Sequence, residues 1–92
     1  MKKQEIIRKL KELIVYKLDV NMKMEDLHED SPLFEGGIGL DSISIVNLIV
    51  LIEKNFKLNF QDDEISMELF SNLDTLSGFI ESKSEQIAGQ VN

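Results

Sequence analysis

The spacing of apolar residues predicts three helices along the chain. Residues 4–18 place apolar side chains three and four positions apart with Lys and Glu between them, which is the pattern of an amphipathic helix. Residues 42–56 are apolar on more sides, and this run of 15 residues without Gly or Pro favours a helix over a buried strand. Residues 73–84 carry a third apolar face. A helix as apolar as the second must lie centrally or offer part of its surface to a partner.

Two connections join the predicted helices. Residues 19–41 contain the only proline and three glycines, and we expect their scattered apolar side chains to hold this long loop against the core. The second connection follows residue 56, and within it we predict one short helix over residues 64–71. The predicted fold is therefore an all-α four-helix bundle, with three longer helices, one short helix and a long first loop. We expect residues 1–84 to form the domain and residues 85–92 to form a frayed, flexible tail.

Short polar residues mark the starts of two helices. Asp41 precedes the second helix, and Ser71 or Asn72 precedes the last one. Side chains of these types accept hydrogen bonds from the free N–H groups of a first helical turn. We therefore predict that both helices are capped by their own sequence.

Composition limits the classes of function. A chain of 92 residues suits one domain, and without cysteine it can form neither a disulfide nor a thiolate metal site. The net charge is −7, with a balance of +4 over residues 1–23 and −11 over residues 24–92. Such an acidic body argues against nucleic-acid binding and favours basic patches on proteins, although the charge can also serve solubility alone. The five phenylalanines are expected in the core.

The sequence also carries signals, or lacks them, that relate to where in the cell the protein is found. No segment is apolar over enough residues to span a bilayer. Charged residues, among them Glu5, Arg8 and Lys9, interrupt the apolar core that a secretion signal would need. We therefore expect a cytoplasmic protein, and nothing in the sequence demands more than a monomer.

Ser42 is the candidate for chemistry, because it stands where a glycine-containing loop becomes a helix. The start of a helix presents free N–H groups and a partial positive charge, which favour an attached phosphate. A surface loop that leads into a helix is exposed and yet rigidly positioned. Simple helix capping by Asp41 and Ser42 is the alternative, and the residue types alone favour it.

Other candidate sites are weaker. His28 is the only histidine, so a serine hydrolase would have to pair it with Ser42, yet the sequence around Ser42 lacks the Gly-x-Ser-x-Gly elbow. The acidic clusters at residues 25–30 and 62–64 lack the alternating spacing of an EF-hand loop. The loop glycines come without the lysine of a phosphate-binding loop. We therefore predict no metal site and no nucleotide site, and the alternative at the acidic clusters is weak binding of divalent ions instead of a solvated surface. We expect His28 to be an exposed loop residue.

Around Ser42 the chain resembles the acyl carrier protein family, which includes the peptidyl carriers of nonribosomal synthesis. The motif of that family is an Asp-Ser-Leu or Asp-Ser-Ile triplet that follows a glycine-containing loop and opens an amphipathic helix. Here the triplet is Asp41-Ser42-Ile43, preceded by Gly37-Ile38-Gly39-Leu40. Ser31-Pro32-Leu33-Phe34 upstream and Phe56 at the end of the helix also match. The resemblance extends over about residues 4–84.

The resemblance implies a carrier that catalyses nothing itself. Ser42 would accept 4′-phosphopantetheine from coenzyme A through a separate phosphopantetheinyl transferase, and the thiol of this arm would hold an acyl group as a thioester. Asp41 would help to place the serine for the transferase. The implied partners are that transferase and acyl-transferring, condensing or acyl-activating enzymes. The residues implied to contact them are Ile43, Val46, Val50 and Glu53.

The second predicted helix departs from the family in its charge. Carriers of fatty acid synthesis usually show several acids here, which dock onto basic enzyme surfaces. The polar residues of this helix are Ser44, Asn47, Glu53 and Lys54, of which only Glu53 is acidic. We expect a more apolar exposed face that includes Ile45 and Ile49, which favours a dedicated carrier in a specialised lipid, polyketide or peptide-like pathway. An unmodified helical interaction module that uses the same apolar helix is the alternative.

Overall fold

Three α-helices form the domain. The computed structural model describes residues 2–18, 20, 22–34 and 37–90, with side chains as far as Glu85. The helices are α1 (Lys3–Lys17), α2 (Ser42–Phe56) and α3 (Leu73–Gln90), and single 3₁₀ turns lie at Met24–Asp26 and Asp62–Glu64. Within the described ranges no residue belongs to a β-strand, and Pro32 and Asn72 form an isolated bridge. The all-α prediction is confirmed.

Each helix turns one face towards a common core, in which α1 packs mainly against α3 and less extensively against α2. The buried positions recur every three or four residues, so they share one side of each helix. In α1 and α2 they are Ile6, Ile7, Leu10, Leu13, Ile14, Ile45, Leu48 and Ile52. In α3 they are Leu73, Leu76, Ser77 and Ile80. The hydroxyl of the buried Ser77 donates to the carbonyl of Asp74 at 3.0 Å, so this polar group costs little to bury.

The long loop between α1 and α2 is held against the core, as the sequence predicts. Leu27, Leu33, Ile38 and Leu40 in this loop are all buried. Its backbone also binds the start of α3, since the N–H of Leu33 donates to the carbonyl of Ser71 at 3.1 Å. The loop is therefore a fixed part of the domain, which allows it to position the residue that follows it. Gly36 lies outside the described residues.

The segment between α2 and α3 is roughly consistent with the short helix predicted at residues 64–71, although its position and type differ. It forms the 3₁₀ turn Asp62–Glu64 and then consecutive turns over residues 67–70. Ser66 accounts for part of the difference, because its hydroxyl accepts the N–H of Leu69 at 3.2 Å and closes a local turn. So few residues also form too little helix to offset the cost of starting one.

The last helix extends further than predicted. Asn72 caps it, because its Oδ1 accepts the N–H of Thr75 at 2.8 Å, and this confirms one of the two predicted caps. The helix continues to Gln90, whereas the sequence pattern placed its end at residue 84. Residues 85–90, expected to be frayed, are helical because no proline interrupts the chain and extending a formed helix costs little. The boundary of the domain at residue 84 stays a prediction, and residues 91–92 lie outside the described residues.

The phenylalanines pack in or against the core, as predicted. Phe70 is buried, and Phe60 lies between it and Phe79, with ring centroids 6.2 Å and 5.7 Å away. Phe34 and Phe56 are partly buried against the same core. Among the helices described, none has both the length and the apolar character needed to cross a membrane.

Candidate functional site

The loop that precedes Ser42 is fixed by a ladder of backbone hydrogen bonds. The N–H groups of Gly37 and Gly39 both donate to the carbonyl of Phe34, at 3.2 and 3.0 Å. The N–H of Ile38 donates to the carbonyl of Pro32 at 2.7 Å, and that of Leu40 to the carbonyl of Leu33 at 2.8 Å. Ser42 follows this ladder as the first residue of α2, so its place in space is set by the loop.

Gly37 is required by the close approach of two parts of this loop. A Cβ at position 37 would lie 2.1 Å from the carbonyl oxygen of Pro32, far inside van der Waals contact. Gly39 has a φ of +81°, a backbone conformation that glycine adopts without strain. The two glycines therefore serve different purposes, one for space and one for backbone conformation.

Asp41 closes the first turn of α2. Its Oδ1 accepts the N–H of Ser44 at 2.8 Å, and its carbonyl accepts the N–H of Ile45 at 3.0 Å. The N–H and then the hydroxyl of Ser44 hold the pKa of the Asp41 carboxyl below its ordinary value, because both stabilise the charged form. The capping role predicted for Asp41 is confirmed, and the charge of Asp41 is directed at its own helix.

Ser42 itself is exposed at the N-terminal end of α2. Beside it lies an open groove of about 560 Å³, lined by Phe34, Leu40, Asp41, Ser42 and Met67. An exposed hydroxyl fits a covalently attached phosphate group, and the N-terminal end of a helix favours the negative charge of such a group. The groove leaves room for an arm that extends from the hydroxyl. These features describe a small helical domain with an exposed serine at the start of a helix, a position suited to covalent attachment.

One side of α2 is exposed and apolar. Ile43, Val46 and Val50 are 71%, 58% and 42% exposed, so the residues predicted to contact partners are accessible. Ile45 was expected on this face, but that expectation is wrong: it is buried beside Leu48 and Ile52. Ile49, expected there too, is partly buried against the core. The reason is helical phase, because positions 45, 48 and 52 lie on the opposite side from 43, 46 and 50.

Glu53, the fourth predicted partner residue, has a contact within its own chain. Its Oε2 accepts the backbone N–H of Phe60 at 2.9 Å and so fastens the end of α2 to the connection that follows. The side chain is half-buried in this position. A role for Glu53 in partner binding stays a prediction.

Met67 and Ile65 are residues that the sequence pattern did not single out. They are 73% and 41% exposed. Met67 lines the groove beside Ser42, and both residues line an adjoining space of about 300 Å³ next to Ile45 and Phe70. The sequence did not predict their exposure, because residues 64–71 were expected to form a helix. The signal available was Ser66, a turn-forming residue between them.

His28 is exposed, as predicted, and lies away from Ser42. It lines a separate polar groove with Glu29, Asp30 and Asp74. His28 and Ser42 line two different grooves, and no hydrogen bond joins their side chains in the described ranges. In the same ranges no three His, Cys, Asp or Glu side chains are grouped closely enough to hold a metal ion.

Comparisons with known proteins identify the family. Residues 8–80 match the family model described as a phosphopantetheine attachment site. An acyl carrier protein of Phytoplasma mali (strain AT) is 35% identical over 80 residues, which cover 83% of this chain and 84% of the relative. The solution NMR structure of a holo acyl carrier protein from Nitrosomonas europaea matches with a TM-score of 0.71 and 30% identity, over 92% of this chain and 99% of that one.

The chain belongs to the acyl carrier protein family, whose members are carriers and not enzymes. Its prosthetic group is phosphopantetheine. The resemblance stated from the sequence around Ser42 is confirmed at the level of the family and of the fold.

Proposed function

We propose that Ser42 is the residue that carries 4′-phosphopantetheine and that the protein holds acyl intermediates on this arm as thioesters. The observation that carries the proposal is the exposure of Ser42 at the first position of α2, inside the segment that matches the attachment-site family. In the attachment step, the Ser42 hydroxyl oxygen would form a bond to the β-phosphorus of coenzyme A. The bond from that phosphorus to the bridging oxygen of the diphosphate would break, so that adenosine 3′,5′-bisphosphate departs with this oxygen. The hydroxyl proton would pass to a base of the transferase or to water. When attached, the arm supplies the terminal thiol on which an acyl group is held.

The neighbours of Ser42 would position it and present it. Asp41 would fix the first turn of α2 for the transferase through its hydrogen bond to Ser44. Ile43, Val46 and Val50 would contact the enzymes that load and use the arm, since they follow Ser42 along the exposed side of the helix. The partners would be a phosphopantetheinyl transferase and acyl-transferring, condensing or acyl-activating enzymes. A cytoplasmic location would bring the protein to coenzyme A.

The pathway would be a specialised one, for lipids, polyketides or peptide-like products. The support for this proposal is the exposed side of α2, which carries apolar residues where carriers of fatty acid synthesis usually carry acids. Enzymes that recognise an acidic helix would gain little from this surface.

Mass spectrometry after incubation with coenzyme A and a broad-specificity phosphopantetheinyl transferase tests the proposal. We expect wild type to gain the mass of one arm and Ser42→Ala to gain none. Ser44→Ala is the matched control, since it removes a hydroxyl from the same helical turn and should still be modified. A gain that persists in Ser42→Ala would refute the assignment. No gain in wild type, while another carrier is modified, would favour an unmodified interaction module.

A further inference from the structure

The exposed side of α2 continues beyond its apolar residues to two lysines. Positions three and four apart share one side of a helix with about 3.6 residues per turn, and here positions 43 to 54 form a line of exposed side chains. Lys57 is also exposed and directly follows α2 as its C-cap, with a left-handed φ of 55°. We name this line the outer stripe; its residues are Ile43, Val46, Asn47, Val50, Lys54 and Lys57. It is apolar next to Ser42 and positive at the far end of α2.

Two lysines outnumber the one acid of α2, Glu53, at this end of the helix. Glu53 lies beside the stripe, and its carboxylate is directed at the N–H of Phe60. In the described part of the chain, the ion pairs join Lys3 to Asp74 and Lys83 to Glu64, so neither Lys54 nor Lys57 takes part in one. Both lysines are exposed and available to a partner that covers the stripe.

We propose that Lys54 and Lys57 are specificity-determining residues that select partner enzymes with carboxylates on their docking surface. The matching surface has an apolar cleft beside the opening that receives the arm, and acidic residues further along. Lys54 is twelve positions from Ser42, so at about 1.5 Å per residue these acids lie about 18 Å from the opening. This inference rests on the proposed function of Ser42.

The lysines also act against other partners. An enzyme whose docking surface is basic meets like charges at the far end of the stripe, and like charges across an interface weaken association. The stripe therefore selects partners in two ways, since it attracts acidic surfaces and repels basic ones. A cation near the end of a helix also offsets the helix dipole, so stability has to be measured together with specificity.

The test uses the holo protein, with attachment confirmed by mass, and one probe enzyme. The probe is an acyl-transferring enzyme of fatty acid synthesis whose carrier-docking surface is basic. We expect the double variant Lys54→Glu/Lys57→Glu to raise kcat/KM for this enzyme at least about tenfold over wild type at low salt. The gain should shrink as salt screens the charges.

The control is Lys2→Glu/Lys17→Glu, which changes the net charge equally at two exposed positions on and beside α1. Lys17 lies in the last turn of α1, as Lys54 does in α2, so the control also reproduces the loss of a dipole-offsetting cation. We expect it to change kcat/KM less than about twofold. Thermal melts of each variant check that it is folded.

A charge swap on the probe enzyme completes the test. Replacing the basic residues of its docking surface with Glu should raise kcat/KM for wild type and lower it for the double variant. Three results would overturn the proposal. They are an equal kcat/KM for wild type and the double variant, a rise in kcat/KM for the control as large as that for the double variant, and no turnover of either protein.

Binding partners of other kinds at the outer stripe would be recognised by different measurements. A dimer seen by light scattering and dissociated by the double variant would overturn the proposal in favour of a second copy of this chain. Binding of wild type, but not of the double variant, to vesicles of anionic phospholipid would overturn it in favour of a membrane surface. If Ser42 is not modified at all, the proposed function fails before these measurements begin, so the two failures are distinct.

Discussion

Oδ1 of Asp41 lies 2.8 Å from the backbone nitrogen of Ser44, and this hydrogen bond spans the residue proposed to carry the arm. Ser42 is therefore enclosed in a capped helical turn while its own side chain stays exposed. The cap and the preceding loop hold the backbone of Ser42, which leaves its hydroxyl available to another protein.

Removal of the Asp41 cap should loosen the turn that contains Ser42. Asp41→Ala leaves the N–H of Ser44 without its partner, so we expect a melting temperature lower by a few degrees and slower attachment of the arm. Asp41→Asn is the control, since Asn caps helices about as well as Asp and should keep the stability. If Asp41→Ala melts and is modified like wild type, the cap does not position Ser42.

Acid should weaken the contact between Glu64 and Lys83. The ammonium of Lys83 and then the N–H of Gln61 lower the pKa of the Glu64 carboxyl below its ordinary value of 4.5. Because the folded pKa is the lower one, this contribution is complete above pH 4.5 and is lost as the pH falls through the folded pKa. Urea unfolding at several acidic pH values should show a shallower loss of stability in Glu64→Gln than in wild type. Equal slopes would contradict this prediction.

A methyl group at Gly37 should disrupt the loop before Ser42. Because that Cβ would lie 2.1 Å from the carbonyl oxygen of Pro32, Gly37→Ala must displace backbone, and we expect a loss of about 1–3 kcal/mol in the free energy of unfolding. Gly78→Ala is the control in α3, where the new Cβ meets only the Lys3 ammonium at 3.9 Å. There we expect a gain of about 0.5–1 kcal/mol, because Ala suits a helix better than Gly. Denaturant unfolding measures both free energies. An unchanged free energy of unfolding in Gly37→Ala would show that the loop before Ser42 can move to accept the new methyl group at little cost.

The two sides of α2 should differ in what truncation does to stability. Leu48 is fully buried, so Leu48→Ala should cost about 2–5 kcal/mol in the free energy of unfolding. Val50→Ala, on the outer stripe, should cost less than about 1 kcal/mol, because that side chain already meets solvent. Chemical denaturation of the two variants checks this contrast. Similar losses at both positions would mean that Val50 is covered in solution.

The positions of the helices and of the candidate site follow from local sequence. The apolar period, the absence of glycine and proline within α2 and the short polar side chains at Asp41 and Asn72 are signals within a few residues of the structures they specify. Local signals fail where two patterns compete. Residues 64–71 are predicted to form one short helix, but the structure has a 3₁₀ turn at Asp62–Glu64 and a turn closed by the Ser66 hydroxyl.

The sequence alone determined an all-α domain with Ser42 at the start of its most apolar helix, because caps, turns and helical periods are properties of neighbouring residues. The tertiary structure alone decided which side of that helix is exposed. The apolar period alone does not choose a side here, because apolar residues occupy several sides of α2. Packing against α1 and the rest of the core therefore decided that Ile45 is buried and Val46 is exposed. It also decided that Met67 lies beside Ser42 and that Glu53 binds the N–H of Phe60. These pairs depend on how distant segments pack together.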